Sequence, residues 1–165
     1  MATLLNAQAL INSERPWLLI TATPSEDFPN AFFVKAVSHG SSPAQIVSYS
    51  DVRIAYCPQQ QAMPAEPQYG EIATPDTPII LVSGESADIT EISKESARGA
   101  IPPEHLASVK DWDDRLYVYG VVSYHDLIDP HPQKPHETRW CFRYIPNTKG
   151  DRLVQDGPTG YNRHT

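Results

Sequence analysis

His125, Asp126, His131 and His136 fall within twelve residues of one another in a chain of 165. Imidazole and carboxylate together are the donor set that zinc and copper take up. Thr138 follows two positions after the last of them. A metal centre needs at least three such donors to converge, and two of these histidines lie in or beside a loop. The plainer arrangement puts Asp126 and Thr138 at facing positions near the end of a hairpin, bonded to the backbone or to each other, with His131 in a solvated loop. Ser123, His125 and Asp126 would suit a hydrolase by type, as nucleophile, base and orienting group. Adjacent strand residues point to opposite faces, however, so His125 and Asp126 cannot both reach one substrate atom. No Gly-x-Ser-x-Gly elbow is present to form an oxyanion hole. The sequence therefore assigns no catalytic residue, no metal and no other cofactor.

A second group of residues suits recognition. Tyr117 and Tyr119, with Arg139 and Arg143 on a later strand, are the residue types that dominate interface hot spots. The same four would equally build a cross-strand ladder of aromatic and cation–π contacts on a half-buried face. Cys57 and Cys141 have no CxxC or Cys/His spacing around them and are expected to stay as packed thiols. A bridge between them would require their Cα atoms to lie within about 7 Å.

The elements that must position these groups are mostly strands. Residues 2–12 have the composition and spacing of a short helix, with Leu4, Ala7 and Ile11 on one face. Pro16 forces Arg15 into an extended conformation and starts a strand over 17–22. Residues 31–38 alternate as a second strand. Residues 44–56 read as a third, with its stripe interrupted at Ser48 and Ser50 by a bulge. The stretch 57–78, rich in proline and glutamine, has no period and reads as a surface loop. Short strands are expected at 79–82 and 87–92, and a loop over 94–103. A short helix opens at Pro103, carries Leu106 and Val109 inward and ends by Asp114. Residues 116–124 are apolar on both faces, as a central strand requires. The return strand has an inward stripe of Thr138, Trp140, Phe142 and Tyr144, and an outward one of Glu137, Arg139, Cys141 and Arg143. A last short strand is expected at 152–155, with a loose polar tail over 157–165.

Seven or so short strands and two minor helices indicate an all-β, antiparallel β-sandwich. The short N-terminal helix and one short helix before the penultimate long strand are its only helices. The chain carries 13 Lys and Arg against 20 Asp and Glu, for a net charge of −7. That excess repels a phosphate backbone, and the small basic group Arg139, Arg143, Lys149 and Arg152 is interrupted by acids. Nucleic acid is excluded as a partner on that ground. No run approaches the roughly 20 apolar residues of a membrane helix, and the first fifteen residues lack the pattern of a signal peptide, so the chain as given reads as soluble.

Several short motifs run along the chain. They are Arg15-Pro16-Trp17, the step Gly40, Pro43, Ala44, the strand Tyr117, Tyr119, Gly120, and the pair Tyr124 and Asp126. His136, Thr138, Arg139, Trp140 and Cys141 follow, and late in the chain Tyr161-Asn162. Together they resemble a family of uncharacterised bacterial proteins in which a β-sandwich follows one or two membrane helices. The resemblance implies an immunoglobulin-like sandwich, linked to the membrane only through a segment absent from this chain. The many sheet-forming residues, without a complete catalytic set, favour a non-catalytic domain that contacts a protein partner. The resemblance itself implies no activity and no oligomeric state. On this reading 1–15 is a helical connector or stub, 16–156 the sandwich and 157–165 the tail. The chain departs from the pattern in two places. Residues 127–135 form a long proline-rich loop where relatives have a brief Phe-Gly type turn, and the membrane helices ahead of Arg15 are missing.

Overall fold

The computed structural model describes residues 15–24, 32–89, 103–111, 113–129, 134–147 and 150–165. The helix expected over 2–12, the loop over 94–102 and His131 lie outside them. In chain order the strands are β1 (Trp17–Pro24), β2 (Phe32–His39), β3 (Ala44–Ser50), β4 (Arg53–Cys57), β5 (Ile72–Ala73), β6 (Ile79–Leu81) and β7 (Ser86–Asp88). Helix α1 (Pro103–Lys110) precedes the long pair β8 (Arg115–Asp126) and β9 (His136–Ile145), and β10 (Arg152–Gln155) and β11 (Arg163–His164) follow. Among the described residues no helix is long and apolar enough to cross a membrane.

The chain is all-β in class, with every pairing antiparallel. A three-stranded sheet runs β1-β2-β7, and a larger one runs β10-β9-β8-β3-β5, with β4 on β8, β6 on β3 and β11 on β9. Alternation along the strands supplies the apolar faces. Leu18 and Ile20 of β1 and Phe32, Val34 and Ala36 of β2 pack with Ile46, Val118, Val122, Tyr124, Trp140, Phe142 and Tyr144 of the larger sheet in one core. Helix α1 adds Val109 to that core, as its spacing predicts. Truncating one of these aliphatic side chains to Ala would cost about 2–5 kcal/mol, the range for a buried cavity that relaxes only in part.

The expected single strand over 44–56 is two strands. The register of β3 against β8 slips between Ile46 and Ser48, where the bulge was expected, and the chain then leaves the sheet at Asp51 and Val52. Two long-range bonds hold that break: the Asp51 amide donates to the Glu71 carbonyl at 2.9 Å, and the Val121 amide donates to Ser50 Oγ at 3.0 Å. Each supplies a partner that a continuous ladder would otherwise provide. Gly120 lies beside that break and faces Trp140 on β9, and a Cβ there would meet Trp140 Cζ2 at 2.7 Å.

Two further expectations change. Cys141, expected on the outward stripe of β9, is fully buried, because a second apolar cluster covers that face. Cys57, Met63, Tyr117, Tyr119, Cys141 and Tyr161 form the cluster, with Ala55 and Tyr69 against it. The stretch expected as a surface loop thus covers the sheet with Met63 and Tyr69. The expected loose tail is held as well. The Asp156 amide donates to the Cys141 carbonyl at 3.1 Å, a 3-10 turn at Thr159–Tyr161 buries Tyr161, and β11 pairs with β9 from Arg163↔Arg139 to His164↔Thr138.

Candidate functional site

The strand register separates the residues that the sequence clusters. Tyr124 faces His136 and Val122 faces Thr138 across β8 and β9, so these four side chains share the inner face. His125, one position on, points to the outer face, where its neighbour on β3 is Gln45. Asp126 pairs with Ala44 on β3 and accepts a hydrogen bond from the Ile128 amide at 2.9 Å, which closes the end of the strand. Asp126 and Thr138 both bond backbone groups but do not face each other, since Thr138 faces Val122, on the same strand as Asp126 and deeper in the sheet. Among the described residues no three His, Cys, Asp or Glu side chains are grouped as a metal ion requires.

His136 and Thr138 instead meet two residues that the sequence analysis left in the tail. The Thr138 hydroxyl donates to the Leu18 carbonyl at 3.2 Å and lies 3.2 Å from His164 Nδ1. Its single hydrogen can serve only one of these, so His164 Nδ1 donates to Thr138 in one tautomer and accepts from it in the other. His136 Nδ1 lies 2.8 Å from the Thr165 backbone oxygen, which can only accept, so Nδ1 of His136 donates. The Thr165 amide donates to the Glu137 carbonyl at 3.0 Å, and the Glu137 amide donates to Thr165 Oγ1 at 2.9 Å. Both imidazoles are therefore anchored through Nδ1 and leave Nε2 unengaged by these bonds. Burial raises the Tyr124 phenol above its usual range, opposed by hydrogen bonds with Thr138 and the Leu18 backbone.

His136 and His164 line a cleft of about 390 Å³ together with Arg15, Pro16, Trp17, Tyr124 and Thr165. Its walls are fixed by packing. Gly40, with φ of +101°, lets the Arg15 carbonyl approach so closely that a Cβ would stand 2.2 Å from it. The Trp17 ring stacks on His39 with centroids 4.9 Å apart. No local pattern could have revealed His164 or Thr165. They reach the cleft because Asn162 returns the chain to β9, through a bond from the Cys141 amide to Asn162 Oδ1 at 3.0 Å.

The face expected for recognition is covered. Tyr117 and Tyr119 are both buried, the Tyr119 hydroxyl donates to the Gln68 carbonyl at 3.2 Å, and Tyr119 meets Tyr161 edge-on at 4.9 Å. Arg139 lies 5.9 Å over the Tyr69 ring and 3.4 Å from Glu137, while Arg143 pairs with Asp156 at 3.2 Å. These partly buried arginines brace the covering segments. Cys57 and Cys141 are both free thiols. β4 and β9 flank opposite edges of β8, and Cys57 and Cys141 face Arg115 and Tyr119 along it, so their Cα atoms are separated by more than two strand spacings, more than about 9–10 Å, beyond the reach of a bridge. Burial pushes the Cys141 thiol up to about 12 and raises that of Cys57.

A third polar group lies where α1 meets β4. Asp114 accepts from the Tyr56 hydroxyl, from Ser108 Oγ at 2.5 Å and from the Gln59 amide at 3.0 Å, and His105 stacks on Tyr56 at 4.2 Å. The hydrogen bonds from Ser108 and Tyr56 hold the Asp114 carboxyl below its usual range. With its acceptor sites filled in this way the carboxylate ties the helix to the sheet. The chain matches no protein-family model, no curated protein and no solved structure.

Proposed function

We propose that the chain is an immunoglobulin-like β-sandwich domain that binds a protein partner, without catalysis, for a membrane-linked bacterial protein. The two antiparallel sheets and their shared core support the sandwich, and the motif resemblance supports the immunoglobulin-like and membrane-linked parts.

The observation that carries the reading is an apolar patch on the outer face at the end of the β8–β9 hairpin. Ile80, Gln45 and His125 lie in one row across β6, β3 and β8. The Leu127 amide donates to the Pro43 carbonyl at 3.1 Å, which extends the sheet by another row toward Val82. Ile80, Val82, Leu127 and Ile128 are 50%, 46%, 44% and 67% exposed, a concentration of large apolar side chains that marks an interaction surface. These rows hold no Lys or Arg, the residues an anionic lipid surface would need, so a protein partner fits them better. The patch begins where the 127–135 loop departs from the family pattern. A metal-binding or hydrolytic site across 125–136 has less support, because His125 and His136 face opposite sides of the sheet.

Site-specific photo-cross-linking tests the reading. A cross-linker at Leu127 is expected to capture one protein reproducibly, capture is expected to be lost in Ile80→Lys, and a cross-linker at Lys35 on the smaller sheet is expected not to capture it. Equal capture from Leu127 and Lys35, or indifference to Ile80→Lys, would overturn it.

A further inference from the structure

The geometry points to the cleft between β1, β9 and β11 as a binding site for a neutral aromatic alcohol, a phenol, whose hydroxyl donates to Nε2 of His136. The site is separate from the hairpin-end patch, which lies on the opposite face of β8. His136 gives its Nδ1 hydrogen to the Thr165 backbone oxygen at 2.8 Å, so in the neutral ring Nε2 is left as a lone-pair acceptor. Among the described residues nothing donates to that nitrogen, although the ring lines the cleft. Pro16, Trp17 and Tyr124 supply apolar walls, and the Trp17 ring, 46% exposed, is steadied from behind by its stack on His39. An exposed indole of this kind takes an aromatic partner in offset or edge-on contact. A mostly apolar recess with a few polar groups is the usual form of a small-molecule site, and about 390 Å³ is within the usual range of volumes.

The charges around the cleft select a neutral donor. An anion would meet the lone pair of His136 Nε2, and an ammonium group would meet the positive charge of Arg15 with no Asp or Glu side chain among the lining residues to offset it. A hydroxyl needs neither charge. It also suits the second imidazole. β11 sets His164 opposite Thr138, two residues along β9 from His136, so the two rings are diagonal neighbours, a separation across which aromatic side chains reach each other. In the tautomer that accepts from Thr138 through Nδ1, His164 carries its hydrogen on Nε2 and can donate to the oxygen that donates to His136. An aromatic N–H has no such oxygen to offer. The His136 ring is held by Thr165 and the Arg15 backbone by its close approach to Gly40, so little ordering entropy remains to be lost on binding.

Isothermal titration of the full chain with 2-naphthol tests this, with 2-methoxynaphthalene, which can accept but not donate, as the comparator. The naphthol is expected to bind about fivefold more tightly, the ratio that one neutral hydrogen bond supplies. Nitrogen spectra of the isotopically labelled protein read the bond directly. On titration with 2-naphthol the lone-pair nitrogen of His136 is expected to shift upfield, as it does on accepting a hydrogen bond, while 2-methoxynaphthalene leaves it in place. His136→Phe keeps a flat ring without the acceptor and is expected to equalise the two affinities, its melting temperature showing whether the fold survives the loss of the Thr165 bond. Trp17 is exposed, so Trp17→Ala is expected to weaken both ligands without disturbing the core. Equal affinity of the wild type for the two ligands, a His136 nitrogen that does not respond to 2-naphthol, a folded His136→Phe variant that keeps the preference, or no binding up to the solubility limit of 2-naphthol would each overturn the assignment.

Discussion

The Cys141 amide donates to Asn162 Oδ1 at 3.0 Å while Asn162 Nδ2 donates to the Asp156 carbonyl at 2.9 Å, so one side chain fills the gap between β10 and β11 along the edge of β9. Asn162→Ala leaves the buried Cys141 amide without its acceptor, at a cost of about 1–3 kcal/mol. Thermal melting should show the loss, and hydrogen exchange at Cys141 should accelerate. An unchanged melting curve with unchanged exchange would mean that water replaces the asparagine at no cost.

Gly120 and Trp140 make a second pair whose fit can be measured. Gly120→Ala places a methyl group 2.7 Å from Trp140 Cζ2, so the ring or the strand must shift, and overpacking of this kind costs about 1–3 kcal/mol. Trp140→Phe removes the atom in conflict. The double variant should therefore be more stable than the sum of the two single changes allows, with a coupling of about 0.5–3 kcal/mol in a double-mutant cycle. Strict additivity would show that the close approach is not what excludes a side chain at 120.

Alkaline pH should unfold the protein through its second apolar cluster. Burial raises the Cys141 thiol from 9.0 to about 12 and the Tyr161 phenol from 10.0 to about 12. In the unfolded chain these groups lose their protons near pH 9 to 10, while in the folded chain they keep them up to about 12. Folding then binds more protons than unfolding, so stability falls as pH rises through that window and is unaffected by these groups below it. Chemical denaturation between about pH 8 and about pH 11, a range that spans the unfolded thiol and phenol values, should show a falling midpoint. Cys141→Ala should flatten the slope even as it lowers the midpoint at neutral pH. Thiol titration should detect no fast-reacting cysteine in the native chain and two after denaturation, since both thiols are buried and free. A native chain that reacted at once would contradict the burial.

Asp114 acts at the acid end. Its carboxyl is held below the ordinary range by Ser108 and Tyr56, so its contribution to stability is present above the unfolded value of 3.8 and is lost as pH falls through the lower folded value. Asp114→Asn removes the charge that these hydroxyls favour. The variant should melt below the wild type at neutral pH, and the gap should narrow as pH falls below 3.8. A gap independent of pH would assign the effect to packing of α1 alone.

Much of the sheet was legible because its signal is local. Alternation placed β1, β2, β8 and β9 to within a few residues, and the apolar character of both faces of β8 marked it as central. What escaped was set by partners distant in sequence. The break after Ser50 depends on Glu71 and Val121, and Cys141 is buried because Tyr161 and the 57–70 stretch cover it. His164 entered the cleft for the same kind of reason. A two-residue strand has no readable period, and its register is decided by Asn162 from outside the strand. The split of the histidine cluster, by contrast, follows from strand alternation alone once Tyr124 is known to face His136.

Among the described residues β4 pairs with β8 alone, and Tyr56 and its partner Leu116 are sixty residues apart in the chain. During synthesis β3 and β4 must therefore wait for most of the chain between them and β8 before the larger sheet can assemble. Non-local pairing of this kind makes folding slow, and the waiting edges are open to association with other chains. The prolines at 58, 64, 67, 75 and 78, which cannot donate to a ladder, stand in the stretch that directly follows β4. Besides roofing the finished sheet, that stretch guards against wrong pairings while its proper partner is still being made.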